Sequence, residues 1–513
     1  MDVKKAVSSN LINRLWVRIL VVLIISFVLV FPASKLYPTK GVETHASLEK
    51  FVDHLDERIP LLMKDYDIPG VNIAFVQKGE TAWSRAYGYA DLEEGRKMTI
   101  DTYCRTQSIS KSVTAWGVMK LVEQGKIDLD HTVELYIKNW EFPETEFSEG
   151  KITVRQLLTH TSGMPQGVVG PSRCYSPEED KPTLEESLSK EAIPEQEPGQ
   201  SFVYSNVGFH LLELLIEEVT GRDFAEYMNE EVFIPLGMHN STFTWSEELE
   251  PAVPVGSDLK GNPVPVYVYS EKASGGLLAT AEDVATFISA GMTNFNYTDH
   301  DVLNTQNINK LYTPSTGRPG IYGLVFNSYG FGHFIETLPN GKQAVSHGGQ
   351  GYGLMTHFHS APETGDGIVI LTNSQRSWPF IAYILTDWAE WSGFSSVGMS
   401  KIILGQKVIW TLIGLIWFIF LWQVWRLGQG LISGRRQFAP LSKESRLLRL
   451  VQSSLFIILM SGLLWSINQD YLFISSVFPI ASSWLGFSIF LFAVVLLLSA
   501  LFPCIEDKIK SIC

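Results

Sequence analysis

A chain of 513 residues, 45% of them hydrophobic, has room for two to four compact units. Its formal net charge of −14 is unevenly divided: residues 45–400 carry 24 Lys+Arg against 48 Asp+Glu, a net of −24, and the remainder carries 16 against 6, a net of +10. A segment that acidic excludes nucleic acid and anionic surfaces as partners, and no Cys-x-x-Cys or His-x-x-x-His spacing invites a metal, so neither cofactor nor metal is expected.

The first apolar run, "VRILVVLIISFVLVFPA" (Val17 to Ala33), follows Lys4, Lys5, Arg14 and Arg18. A secretory signal peptide and a retained anchor share that layout. The flank "PASKLYP" is a poor cleavage site and Leu15 to Ala33 just reaches spanning length. Residues 1–44 are therefore expected to be a retained signal anchor. Next, "SLEKFVDHLDERIPLLMKDY" has a helical pattern, and "GVNIAFVQKG" and "TAWSRAYGYAD" read as strands joined at "KGE". A helix starts near Gln107, with Ile109, Val113, Trp116, Gly117 and Leu121 at helical spacing. "ITVRQLLTHTSGMP" reads as a capped helix stopped by Gly163 and Pro165. Residues 166–200, Pro-rich and acidic, read as a lid or equally as a solvated insertion. "NVGFHLLELLIEEVTGRDFAEYMNEEVF" is helical again, "KQAVSHGGQGYGLMTHFHS" and "GIVILTNSQ" are strands, and "PFIAYILTDWAEWSG" is a helix. The predicted fold class is α+β: an antiparallel sheet built from the terminal segments of residues 45–400, with a helical subdomain packed on it.

Three more apolar blocks follow: Ile402 to Trp425, Leu447 to Ile467 and Trp484 to Phe502. Each is near the length a bilayer demands, so residues 401–513 are expected to be an all-α transmembrane region with three helices and the lipid bilayer as partner. The connection after the first block holds Arg426, Arg435, Arg436, Lys443, Arg446 and Arg449, whereas "NQDY" after the second holds no basic residue. The tail carries Lys508 and Lys510. Positive loops stay in the cytoplasm. The chain thus reads as a multi-pass cell-membrane protein with both ends inside and residues 45–400 outside. That compartment permits a Cys104–Cys174 disulfide, and free thiols fit as well.

Ser-x-x-Lys occurs five times, at Ser47-Lys50, Ser108-Lys111, Ser148-Lys151, Ser187-Lys190 and Ser257-Lys260. Only Ser108 opens a strongly apolar helix, and i, i+3 spacing puts Lys111 over the same face. A desolvated lysine there has a lowered pKa and can take a proton. The bland alternative is a polar pair that caps the helix. Tyr204-Ser205-Asn206 stands just before another helix: a phenol beside an ammonium has a depressed pKa and can act as general base, and the Asn206 amide can hold a carbonyl or fix the lysine. His347-Gly348-Gly349 opens a strand, where Gly349 would let a substrate backbone lie along the edge. The N–H groups of Ser108 and Gln350 could then form an oxyanion hole. His160 and His333 read as scaffold histidines.

The order Ser-x-x-Lys, Tyr-x-Asn, His-x-Gly resembles that of the serine β-lactamase and penicillin-binding-protein superfamily, and its tyrosine version resembles the class C branch. "PGQSFVYSNVGFHLLELLIEEVTG", "PLGMHNSTF" and "SGGLLATAEDVATFI" look similar too, and the resemblance spans roughly residues 47–395. It implies Ser108 as acylated nucleophile, Lys111 as proton partner, Tyr204 as general base, and Asn206, His347, Gly349 and Gln350 as substrate-binding residues. His347 stands where class C enzymes have lysine, a weaker and pH-dependent cation. That departure points away from efficient β-lactam hydrolysis, toward peptidases and esterases acting on D-amino-acid peptides or esters. The resemblance therefore implies an extracytoplasmic serine hydrolase domain over 45–400. Its partner would be a small-molecule or peptide/ester substrate. The alternatives are a penicillin-recognising or wall-binding sensor, and a β-lactamase.

Overall fold

The computed structural model describes residues 17–32, 41–147, 152–292, 294–295, 302–442, 444–469 and 472–504. Lys4, Lys5, Arg14, the Ser148-Lys151 motif, Lys443, Lys508 and Lys510 lie outside the described residues. The chain forms two compact units, one from Thr39–Ile402 and one from Met1–Pro38 with Ile403–Cys513.

The Thr39–Ile402 unit is organised by an eight-stranded antiparallel sheet. Its strands are β1 (Gly70–Gln77), β2 (Glu80–Asp91), β3 (Arg96–Lys97), β7 (Ser328–Tyr329), β8 (Phe334–Thr337), β9 (Gln343–Gly351), β10 (Leu354–Ala361) and β11 (Asp366–Thr372). The order is β3-β2-β1-β11-β10-β9-β8-β7, so the two ends of the segment meet at its centre, with Val71 opposite Thr372. "GVNIAFVQ" is a near-continuous apolar run because β1 is covered on both faces. Ala74 and Val76 enter one core with Trp116, while Phe75 turns the other way, 5.4 Å from Phe51. On that second face lie α1 (Leu48–Tyr66) and, at the far end of the unit, α6 (Trp378–Trp391), with Phe51 stacked on Trp391 at 4.3 Å. A small sheet of β4 (Cys104–Arg105), β6 (Leu278–Ala279) and β5 (Ser241–Thr242) delivers the chain to the next helix.

That helix, α2 (Ile109–Glu123), differs from the one-faced helix its periodicity predicts. Every residue from Ile109 to Met119, and Leu121, is buried. The reason is tertiary: the helix lies between the sheet and the helical middle, so no side faces water. Its neighbours include α4 (Val207–Thr220) and α5 (Ala281–Ala290), which follow α3 (Val154–Leu158) in the chain, and Trp116 meets Phe287 of α5 at 5.3 Å. The Thr153–Gln156 capping box starts α3 as the sequence suggests. Cys104 and Cys174 are free thiols.

Among the described residues, three helices are long and apolar enough to cross a membrane: Gly398–Ile432, Arg446–Ile467 and Pro479–Leu501. Helix Val17–Val30 is shorter. At the turn between the first two long helices, Arg436 donates to Phe502 O (2.9 Å) and Arg449 to Ala500 O (2.8 Å), occupying carbonyls at the end of the third.

Candidate active site

Ser108 is the residue before the first turn of α2, and its hydroxyl makes no capping bond to that helix. The backbone reaches it through Gln107, which sits in the left-handed region at φ 54°. For a non-glycine residue this costs roughly 1–2 kcal/mol. Gln107 is held there by both ends of its amide: Nε2 donates to Tyr267 Oη (3.0 Å) and Oε1 accepts from Tyr269 (2.9 Å).

Lys111 lies one turn on and is completely buried. Its Nζ is 3.1 Å from Ser108 Oγ, and it donates to Asn206 Oδ1 (2.8 Å) and to the carbonyl of Ser274 (2.7 Å). No carboxylate pairs with it among the described residues. Burial, helped by the nearby Arg173 charge, pushes its amine well below the usual lysine range. A neutral amine has two N–H bonds and one lone pair. Nζ has three acceptors in reach, Asn206 Oδ1, Ser274 O and Ser108 Oγ; once it gives up a proton, Asn206 and Ser274 hold the two remaining hydrogens and the lone pair faces the Ser108 hydroxyl.

Asn206 is the residue before α4, and the segment ahead of it is pinned at several points. Ser205 N–H donates to His160 Nδ1 (3.1 Å), while Ser205 Oγ donates to Pro165 O (2.6 Å) and accepts from Gly208 N–H (2.8 Å). This holds the Tyr204 ring 5.0 Å from Lys111 Nζ and its hydroxyl on Ser108. The expected depressed phenol is not found. Burial, reinforced by Tyr322, drives the Tyr204 pKa up, and the hydrogen bond with Ser108 opposes it only in part. His160, 4.4 Å from the Tyr204 ring, is a buried support, as is His333.

His347 also departs from expectation. It is fully buried and kept neutral by desolvation, with Lys111 as a lesser cause. Its Nδ1–H donates to Gly348 O (2.8 Å), so Nε2 is free to accept from Tyr329 Oη (3.2 Å). No cation is presented to the cleft here. Gly348 and Gly349 likewise make room for protein: a Cβ on Gly348 would meet Trp378 at 2.6 Å, and one on Gly349 would meet Thr356 Oγ1 at 2.2 Å and Thr106 O at 2.3 Å. The tight fit seats β9 directly against the turn that carries Ser108. Beyond Ser346, β9 has no pairing with β8, so the Gly348–Gly351 stretch keeps one edge open.

Ser108, Asn206, Gln350 and Gly351 line one small, open cleft. The other wall comes from residues 166–200: Val168, Val169, Gly170 and Arg173 border the cleft, with Tyr269 and Ser274 beside them. That segment is neither a detached lid nor a mere surface excursion. Gln107, Arg173, Tyr269 and Ser274 are functional candidates that motif order misses. Ser274 begins "SGGLLAT", a stretch already singled out, whereas Arg173 has no local signal because its partners are remote in sequence.

A Beta-lactamase family model matches residues 55–384. Protein flp of Staphylococcus aureus strain MW2 is 25% identical over 384 residues, 72% of this chain and 74% of that protein. A protein of Escherichia coli strain K12 named "Putative D-alanyl-D-alanine carboxypeptidase" is 25% identical over 381 residues, 66% of this chain and 86% of that one. The octameric penicillin-binding protein homologue from Pyrococcus abyssi superposes with a TM-score of 0.59 at 26% identity, covering 70% of this chain and 81% of that chain. A class C beta-lactamase shares the fold, with a TM-score of 0.53 at 21% identity, covering 65% and 94%.

Proposed function

The chain belongs to the beta-lactamase family, and from that premise we propose that it is a membrane-held serine hydrolase working through a Ser108 acyl-enzyme. The substrate is an amide or ester outside the cytoplasm, a D-amino-acid peptide or ester of cell-wall type. One observation carries the reading: Asn206 and Ser274 hold Lys111 Nζ 3.1 Å from Ser108 Oγ, with no carboxylate paired to it among the described residues. Lys111 takes the Ser108 proton as Oγ bonds to the substrate carbonyl carbon. The N–H groups of Ser108 and Gln350 receive the oxyanion. Collapse breaks the bond to the leaving group, which collects the proton from Lys111 through the Tyr204 hydroxyl. Tyr204 thereby acts as a neutral relay. Water then attacks the acyl-enzyme by the reverse route, releasing the acid and restoring Ser108. The carboxypeptidase name of one relative favours the peptide substrate. The arginines between the first two long helices favour the outside placement.

Three candidate spans exceed what anchoring needs, and they favour a second reading, a penicillin-recognising sensor. Chromogenic esters, D-alanyl amides and a fluorescent penicillin, offered to the purified protein and to Ser108→Ala, separate the two. The hydrolase reading expects turnover that Ser108→Ala removes. Stable labelling without turnover would favour the sensor. Turnover that survives Ser108→Ala refutes both.

A further inference from the structure

With His347 buried, another group must meet any charge on the substrate. Among the residues lining the cleft, Arg173 alone is ionised. Its guanidinium is held rigidly. Nε and Nη2 donate to Glu271 Oε2 (3.1 and 2.8 Å), Nη2 also reaches His210 Nε2 (2.6 Å) and Ser274 Oγ (3.3 Å), and the group lies 5.1 Å from the Tyr269 ring centre. These contacts occupy Nε and Nη2, which leaves the Nη1 edge. Nη1 has no acceptor among the described residues.

The surroundings favour an anion at that edge. Burial raises the Glu271 carboxyl, but His210 and Arg173 outweigh it and hold its pKa at about 2, so Glu271 stays an anion that fixes Arg173 rather than a proton source. Behind Tyr269 sits a second buried guanidinium, Arg105, 5.4 Å from the ring and without a carboxylate partner among the described residues. No carboxylate lines the cleft. The domain as a whole, at −24, repels anions at long range. Selection for an anion would therefore act after binding, through contact, and not through steering.

Resting on the acyl-transfer reading above, we propose that Arg173 is a specificity residue whose unpaired Nη1 binds a carboxylate carried by the ester or amide that Ser108 attacks. A guanidinium nitrogen held in a fixed plane aims its two N–H donors at one place, which a flexible ammonium does not.

The full-length protein in detergent is assayed with three nitrophenyl esters: one uncharged, one with a carboxylate on the acyl chain and one with a carboxylate on the leaving group. The wild type is expected to favour one carboxylated ester over the uncharged one by roughly 10- to 100-fold in kcat/KM, and the favoured ester says which side faces Arg173. Arg173→Gln should cost that ester at least about ten times more than it costs the uncharged ester, chiefly in KM, with partial recovery in Arg173→Lys. Binding of phenylboronic acid and its 3-carboxy derivative, which bond to a serine hydroxyl, gives the same comparison by thermal shift without turnover. No preference in the wild type, or equal losses on all three esters, would overturn the assignment. Uncharged-ester turnover that still depends on Ser108 would leave the hydrolase reading standing while this one fell.

Discussion

Replacing Lys111 by methionine should sharply reduce turnover and, separately, change how stability depends on pH. In an unfolded chain the amine titrates near 10.4. In the folded protein burial, aided by Arg173, moves it well below. Between the two values the unfolded chain holds one more proton than the folded one, so stability rises with pH, by up to about 1.36 kcal/mol per unit. The gain is complete above the unfolded value and is lost as pH falls toward the folded value. From pH 8 to 10 the wild type should therefore gain up to about 2.7 kcal/mol relative to Lys111→Met, whose side chain binds no proton. The substitution also strands Asn206 Oδ1 and the Ser274 carbonyl, at about 1–3 kcal/mol each. That penalty is independent of pH and leaves the slope intact. Urea unfolding of both proteins at pH 7, 8, 9 and 10, in one detergent and followed by tryptophan fluorescence, measures the difference. Parallel stability curves would mean that the buried amine keeps its proton, and the role given to its lone pair would fail. Turnover at pH 8 should fall by about 10²–10⁴ on loss of the base.

Three further outcomes follow from the same geometry. His347→Gln should leave the shape of the kcat/KM profile around pH 6–8 as in the wild type, since burial pulls His347 well below the usual histidine range; a limb near 6.5 that vanishes in the variant would contradict this. Gly349→Ala should lower stability by about 1–3 kcal/mol and slow acylation, because its Cβ lands 2.2 Å from Thr356 Oγ1; an unchanged thermal midpoint would refute the packing argument. Gln107→Gly should be more stable than Gln107→Ala by about 1 kcal/mol, because only glycine accepts φ 54° without strain; both should lose kcat through release from Tyr267 and Tyr269, and equal stabilities would count against strain at the turn.

Much of this was legible in sequence, for reasons that differ by element. The strands at Gly70–Gln77 and Glu80–Asp91 and the long helices Arg446–Ile467 and Pro479–Leu501 are local patterns that the fold preserves. The pairing of Ser108 with Lys111 rests on helical spacing alone. The environment of Lys111 does not: Asn206 and Ser274 are 95 and 163 positions away. His347 misled because charge at a histidine depends on burial, which its neighbours Gly348 and Gly349 do not reveal. Tyr204 misled for the same cause, since burial raises a phenol whose surroundings motif order does not reveal. Arg173 was invisible because its partners His210, Glu271 and Ser274 come from other segments.

The meeting of β1 and β11 at the centre of the sheet also sets a clock. Val71 faces Thr372, 301 positions later. At about 5–20 residues per second, synthesis puts roughly 15 to 60 s between the two strands. Through that interval "GVNIAFVQ", an aggregation-prone run, lacks the neighbour on one of its edges. Contacts so remote in sequence also fold slowly once available. A chain released before Thr372 would thus yield no smaller working enzyme, only an exposed strand, and nascent chains would need a chaperone or an unfolded transit until the last strand arrives.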